Sequence, residues 1–262
     1  MTGSGAIIVH RLQVRRSMRD PSLVHGKLVR RYKRFLADVL MDNGEIVTVH
    51  CPNTGSMKNC VEAGAQVWLS RSDNPARKYP LTWEFLKTSR GHYIGVNTIK
   101  ANGLAKSAIL ENRIPELKGY AEMKLERKYG SENSRIDIFL SAHPDLADCY
   151  VEVKSVTLLE NPASHGKGCF PDSVSTRGSK HLRELMRIVN QGQRAVLFFC
   201  VQHSGIREVR PAAHIDQVYA DTLARAVGAG VEVLAYKVRF QGREPVIGKS
   251  LPFVLKELRE NA

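Results

Sequence analysis

No apolar run in this 262-residue chain exceeds seven residues. The longest, AVLFFCV at 195–201, falls far short of the ~20 residues a helix needs to cross a bilayer, so no helical membrane span is expected. The N-terminal stretch MTGSGAIIVHRLQVRRSMRD has no long apolar core behind a basic head, and it does not read as a secretory signal. Cysteine is scarce and odd in number: five residues, at 51, 60, 149, 169 and 200, with no close CxxC pair. A structural zinc knuckle is therefore not expected. His50 beside Cys51 lacks a matching ligand pair. Cys149 and Cys200 sit inside apolar runs, as buried free thiols do in a reducing cytoplasm. There is no internal repeat and no P-loop. Gly3-Ser4-Gly5 begins like a dinucleotide fingerprint, but Ile8 stands where the third glycine belongs.

Acid is the other shortage. Against 39 Lys/Arg there are 26 Asp/Glu, leaving a formal charge of +13. Nine Lys/Arg and one acid fall in residues 1–34, so that stretch carries +8. Such a balance favours a polyanionic partner, because basic side chains that neutralise phosphates release condensed counterions. A solvated basic tail would give the same count. Residues 1–22 are expected to be a poorly ordered basic extension.

The first half reads as short strands separated by turns. KRFLADVL (33–40) leads into Asn43-Gly44, a strong hairpin signal, and EIVTVHC (45–51) pairs back. AQVWLS (65–70) and GHYIGVNT (91–98) follow. With no convincing long helix among them, these strands suggest a small β-barrel. KANGLAK (100–106) reads as the joint to a second domain, giving domains at 23–102 and 103–262. In the second, SKHLRELMRIVNQG (179–192) spaces Leu182, Leu185, Met186 and Val189 as one helical face, with Gly192 as its stop. RAVLFFCV is a strand covered on both faces. IDQVYADTLARAVGAG (215–230) is a helix with Asp216 as N-cap, and VEVLAYKV (231–238) completes a right-handed β-α-β unit in a mixed sheet.

The stretch YVEVKSV (150–156) poses the functional question. Strand side chains alternate, so Cys149, Val151 and Val153 share one face while Tyr150, Glu152 and Lys154 share the other. In SRIDIFL (134–140), Ile136, Ile138 and Leu140 take the core face, leaving Arg135, Asp137 and Phe139 opposite. The two runs flank a polar loop, SAHPDLA, and read as a hairpin. Asp137 and Glu152 are symmetric about its centre and should face one another. Two carboxylates at ~5 Å repel by roughly 3 kcal/mol at an effective dielectric of about 20. Either one is protonated or a cation lies between them. Mg²⁺ or Mn²⁺, one or two ions, suits such oxygen donors, with Glu126 as a third carboxylate and Lys154 orienting water or phosphate. This is a layout for metal-assisted phosphodiester hydrolysis. A same-face Glu152–Lys154 ion pair beside an exposed Asp137 is the plain alternative.

Longer motifs carry a resemblance. RRYKRFLADV, VHCPNTGSMKNC, NPARKYPLTWE, SRIDIFL, YVEVKSVTL, FPDSVSTRGSKHLREL and PAAHIDQVYADTL, in this order from about Leu23 to Lys249, resemble the bacterial sugar fermentation stimulation protein A family. The resemblance implies an α/β plus β protein: an OB-fold-like barrel, then a PD-(D/E)xK nuclease-like domain. It further implies non-specific DNA binding and a regulatory link to sugar, particularly maltose, metabolism. The nuclease-type motif falls on Asp137 and Glu152-Val153-Lys154, with Glu126 as the preceding acid and Ile136 where the motif's proline would stand. The alternative under the same resemblance is a DNA-binding regulator whose nuclease-like domain is silent; RNA or a small phosphoester is a third target. For DNA contacts the sequence offers Arg31, Lys33, Arg34 and Phe35 on the barrel, with basic residues interleaved among aromatics. The second domain offers Arg135, Arg177, Lys180, His181 and Arg183 around a helix N-terminus. His181 reads as a helix-capping or solvent-exposed residue rather than an acid–base group. HCPNTGSM (50–57) reads either as a turn or as a set of donors for phosphate or sugar.

Overall fold

The computed structural model describes residues 23–129, 134–161, 166–241 and 244–255; the basic extension 1–22 lies outside them. Strand β1 (Val24–Tyr32) turns at Lys33–Phe35 into β2 (Leu36–Met41), and Asn43-Gly44 turns β2 into β3 (Ile46–His50). Gly44 sits at φ +86°, where a side chain would be strained, and Asn43 Oδ1 accepts from the Glu45 amide at 3.1 Å. β4 (Gln66–Arg71) pairs with β1, then β5 (Leu81–Lys87) with β4, and β6 (Tyr93–Gly95) with β5. A parallel bridge, His50 to Thr82, joins β3 to β5 and closes a five-stranded barrel. Trp83, Leu28, Leu69, Leu86 and Ile94 fill its interior.

Two local expectations change here. KRFLADVL is not one strand: Lys33 and Arg34 adopt φ +49° and +63° and form the turn between β1 and β2. Phe35 follows them and is 48% exposed. KANGLAK is not a joint either. It is the body of helix α1 (Lys100–Leu110), which buries Ala101, Leu104, Ala105, Ala108 and Ile109. That i, i+3, i+4, i+7, i+8 stripe was present in the sequence, but Asn102-Gly103 reads as a turn; burial of five side chains outweighs the ~1 kcal/mol cost of a mid-helix glycine.

The second domain is built on a six-stranded mixed sheet. β7 (Glu122–Tyr129) pairs antiparallel with β8 (Ser134–Ser141), and β8 antiparallel with β9 (Cys149–Val156). β10 (Leu158–Leu159) and β11 (Lys167–Phe170) belong to a separate three-stranded sheet. Helix α2 (Thr176–Asn190) leads into β12 (Arg194–Val201), which runs parallel to β9; β13 (Glu208–Pro211) completes the small sheet. Helix α3 (Gln217–Gly228) then leads to β14 (Glu232–Gln241), parallel to β12, with β15 (Glu244–Ser250) antiparallel at the edge. The expected N-cap holds: Asp216 Oδ1 accepts from the Tyr219 amide at 2.9 Å. Helix α2 begins three residues before its expected start, because Ser175 Oγ caps it on the Gly178 amide at 3.0 Å.

Helix α1 covers one face of the large sheet, with Ile138, Leu140, Val151, Val153 and Phe198 beneath it. Helices α2 and α3 cover the other, over Ile136, Phe139, Val156, Leu197 and Phe199. Ile136 and Ile138 thus lie in opposite cores, so the alternation expected along β8 breaks at Asp137. All five cysteines are buried and free. Among the described residues no helix is long and apolar enough to cross a membrane.

The barrel and the second domain meet through hydrogen bonds that use main-chain groups on at least one side. The Gly95 amide donates to Gln202 O at 2.7 Å, Asn59 Nδ2 to Leu159 O at 3.0 Å, and the Met57 amide to Asp172 Oδ2 at 3.2 Å.

Candidate functional site

The register of β8 and β9 is the one that hairpin symmetry gives: Ile138 lies opposite Val151 and Phe139 opposite Tyr150. One step further it would set Asp137 against Glu152, and there the ladder stops. The Val153 amide donates instead to Asp137 Oδ2 at 2.7 Å, and Asn102 of α1 donates to Oδ1 at 2.8 Å. On the other side, β7 and β8 pair at Leu125–Ile138 and at Arg127–Ile136 but skip the position between. The skipped residue of β7 is Glu126, exposed and at φ +52°. A non-glycine residue rarely adopts that geometry inside a strand. Pairing therefore fails on both sides of Asp137.

Glu152 is 1% exposed, between β9 and α2. Its Oε1 takes Lys154 Nζ at 2.5 Å and also meets His181 Nδ1. Arg177 Nε donates to His181 Nε2 at 3.3 Å. This places the imidazole proton on Nδ1, where it donates to Glu152. His181 is accordingly neither a cap nor exposed; it is 7% exposed on the buried face of α2. Burial alone would push the Glu152 carboxyl up, but Lys154 and then His181 outweigh it and hold it below the usual carboxylate range. Asp137 goes the other way: burial first, then the Glu152 charge, raise it to about 6. The two carboxylates are pushed apart, as happens where acids share a functional cleft.

One cavity of about 590 Å³ gathers most of the expected site: Glu126, Asp137, Glu152 and Lys154, rimmed by Arg135, Arg177, Lys180 and His181. Arg183 does not line it; it lies exposed further along α2. Fit to a hard divalent ion can be tested on the atoms. Glu152 Oε2 is buried with no partner among the described residues, leaving a carboxylate oxygen ready to accept a cation. Each Asp137 oxygen makes one hydrogen bond and keeps a lone pair. The donor set is therefore suitable in type. It is not drawn together as a ready ligand shell, since no group of three His, Cys, Asp or Glu among the described residues is close enough to hold an ion. Glu126 is the member that stands out toward solvent.

Sequence reasoning missed two contributors. Asn102 was hidden in the stretch read as a joint. Glu184, fully buried on α2 and paired with Arg187, leaves its Oε2 unpartnered among the described residues. The signal for Glu184 and His181 was available: with Leu185 and Ile188 they occupy one helical face at i, i+3, i+4 and i+7. Tyr129, buried at the end of β7, also has a hydroxyl without a partner among the described residues. Burial, and then the charges of Glu152, Glu184 and Asp137, raise its pKa.

On the barrel the expected contacts divide. Lys33, Arg34 and Phe35 project from the β1–β2 turn. Arg31 instead spends its guanidinium on main-chain carbonyls: Nη2 donates to Arg34 O at 2.7 Å, Asn53 O at 2.9 Å and Gly55 O at 3.0 Å. Arg31→Ala is expected to destabilise the barrel by about 2 kcal/mol, the scale of one or two charge-assisted hydrogen bonds. That corresponds to a Tm lower by about 4–8 °C in a thermal melt. Lys33→Ala should leave Tm within about 1 °C, as surface substitutions do.

Among the described residues, a closed five-stranded barrel followed by a sheet-rich domain with three α-helices defines the class of protein. The comparisons agree. Residues 29–96 match the family described as the SfsA N-terminal OB domain, and residues 99–244 the Sugar fermentation stimulation protein RE domain. The chain is 59% identical over 227 residues to the sugar fermentation stimulation protein homolog of Shewanella halifaxensis, covering 87% of this chain and 95% of that one. It is 52% identical over 234 residues to the homolog of Aeromonas hydrophila, covering 89% and 94%. The structure of Pyrococcus furiosus SfsA in complex with Ca²⁺ superposes with a TM-score of 0.76 at 23% identity, over 89% of this chain and 96% of that one. The chain belongs to the sugar fermentation stimulation protein family.

Proposed function

We propose that this chain binds nucleic acid, DNA foremost, and hydrolyses its phosphodiester bonds with the help of Mg²⁺ or Mn²⁺. The observation that carries the reading is the single cavity in which Asp137, Glu152 and Lys154 meet beneath a rim of Arg135, Arg177 and Lys180. The rim draws in and orients phosphate; Lys180 and Arg177 lie in the first turns of α2, where the helix dipole adds to their charge. Asp137 and Glu152, with Glu126 swung inward, would hold the ion. A divalent ion there would activate water and offset the charge that develops on phosphorus. Lys154, fixed by Glu152, places an ammonium at the floor of the cavity to orient the phosphate or the attacking water. His181, through Glu152, keeps that lysine in place. A Ca²⁺ complex of the structural neighbour from Pyrococcus furiosus supports the divalent-ion reading.

The second reading is a nucleic-acid-binding regulator without turnover. It is favoured by the absence, among the described residues, of a three-ligand group, and by the occupation of Glu152 Oε1. One experiment decides between them. Purified chain is incubated with supercoiled plasmid, single-stranded DNA and RNA, in Mn²⁺, in Mg²⁺ and in EDTA. Cleavage is expected with either metal and none with EDTA. Failure to cut every substrate in Mn²⁺ would leave the silent regulator.

A further inference from the structure

A second, smaller cavity of about 210 Å³ opens where the barrel meets the sheet, lined by Asn53, Gly55, Ser155, Thr157, Phe170 and Asp172 among others. Its lining continues, in sequence, from that of the cavity described above at two points. On β9, Glu152 and Lys154 line the first, and Ser155, the next residue, lines the second. The segment from Phe170 to Asp172 lines the second, and three residues later Ser175 caps α2, whose Arg177, Lys180 and His181 rim the first. From Glu152 to Ser155 is three strand residues, about 10 Å.

Among several neutral polar side chains, the lining offers one aromatic ring, Phe170, and one carboxylate, Asp172. Phe170 is held by Phe199 and Tyr219, with ring centroids at 5.6 and 5.4 Å. Asp172 is anchored through Oδ2, which accepts from the Met57 amide at 3.2 Å and from Ser56 Oγ at 3.4 Å. Its Oδ1 has no hydrogen-bond partner among the described residues. The loop comes this close only because residue 55 is glycine: a Cβ there would lie 2.4 Å from Asp172 Oδ2 and 2.8 Å from Oδ1. The volume is below the ~300 Å³ at which drug-sized pockets begin, and suits one heterocycle rather than a base pair.

We infer that this cavity receives a single unstacked nucleobase of the bound strand, its face on Phe170 and an N–H edge on Asp172. Aromatic rings take bases with little regard to sequence, and a carboxylate takes their amino and imino groups. The inference rests on the nucleic-acid reading above, and adds that a strand able to unstack is preferred to an intact duplex.

The test measures binding of a fluorescein-labelled single-stranded dodecamer and of its fully abasic counterpart, by anisotropy, to the full chain. Wild type is expected to prefer the base-bearing strand by about tenfold. Asp172→Asn retains an acceptor for the Met57 amide, and Phe170→Leu retains apolar bulk without a flat face. Each should lower affinity for the base-bearing strand severalfold and leave the abasic strand unchanged. Equal binding of the two strands by wild type, or equal losses on both in the variants, would overturn the base pocket while metal-dependent cleavage still stood. Binding of neither strand would remove both it and the reading beneath it.

Discussion

Glu152→Ala is expected to abolish metal-dependent cleavage and to lower folding stability by about 3–5 kcal/mol, the range seen when one partner leaves a buried ion pair. The carboxylate is 2% exposed, while Lys154 and His181, which converge on its Oε1, are 18% and 8% exposed. Without it a largely buried ammonium would lose the carboxylate it touches. The functional loss should be about 10³-fold or more, because an ion at this site is asked for several kcal/mol of transition-state stabilisation. Glu152→Gln separates the two effects. It retains the shape and a neutral acceptor, so cleavage should still vanish while part of the stability returns. The pH sense is fixed by the depressed carboxyl: its contribution is present above the unfolded-state value near 4.3 and lost as pH falls below that toward the folded-state pKa. Thermal melts at pH 7.5 and pH 4, with a plasmid-nicking assay, check each part. Unchanged Tm in Glu152→Ala would mean that Lys154 and His181 find other partners.

Much of this centre was legible because strands obey a period of two. Alternation in YVEVKSV put Glu152 and Lys154 together, and the length of the SAHPDLA loop set the register that brings Asp137 level with them. What alternation could not give was the failure of the ladder at that point. Ile136 and Ile138 look identical in sequence, yet they pack on opposite faces because Asp137 takes the Val153 amide into its side chain. Long-range partners were equally hidden. Asn102 reaches Asp137 from a helix that crosses the sheet, and nothing in Asn102-Gly103 suggests helix until Ala101, Leu104 and Ala108 are seen to need cover. Arg31 illustrates the converse. Its neighbours Lys33, Arg34 and Phe35 are exposed, as a charged stretch suggests, but Arg31 meets carbonyls 22 to 25 positions away. Composition distinguishes basic from acidic stretches; it does not say which cation is already spent.

Asp137→Asn should produce the opposite stability result with the same functional loss. The folded carboxyl is raised to about 6, first by burial and then by the Glu152 charge. Relative to an unfolded value near 3.9, it binds its proton more tightly when folded. Stability from this group is therefore full below pH ~4 and is lost as pH rises through about 6. At pH 7.5 the metal-free wild type carries a carboxylate whose burial and Glu152 neighbour outweigh its hydrogen bonds and Lys154, at a cost of about 1–3 kcal/mol after allowance for partial solvation. Asparagine removes the charge and can keep two hydrogen bonds, its Oδ1 accepting from the Val153 amide and its Nδ2 donating to Asn102 Oδ1 once the Asn102 amide turns over. In EDTA at pH 7.5, Asp137→Asn should melt several degrees above wild type, and the gap should close toward pH 4. Added Mn²⁺ should raise the wild-type Tm by mass action and leave the variant unmoved. A site whose empty form is strained by its own carboxylate, and relieved only by a cation, is what a metal-dependent hydrolase requires. A silent regulator has no reason to keep that strain, so a variant melting at or below wild type in EDTA would count directly against catalysis.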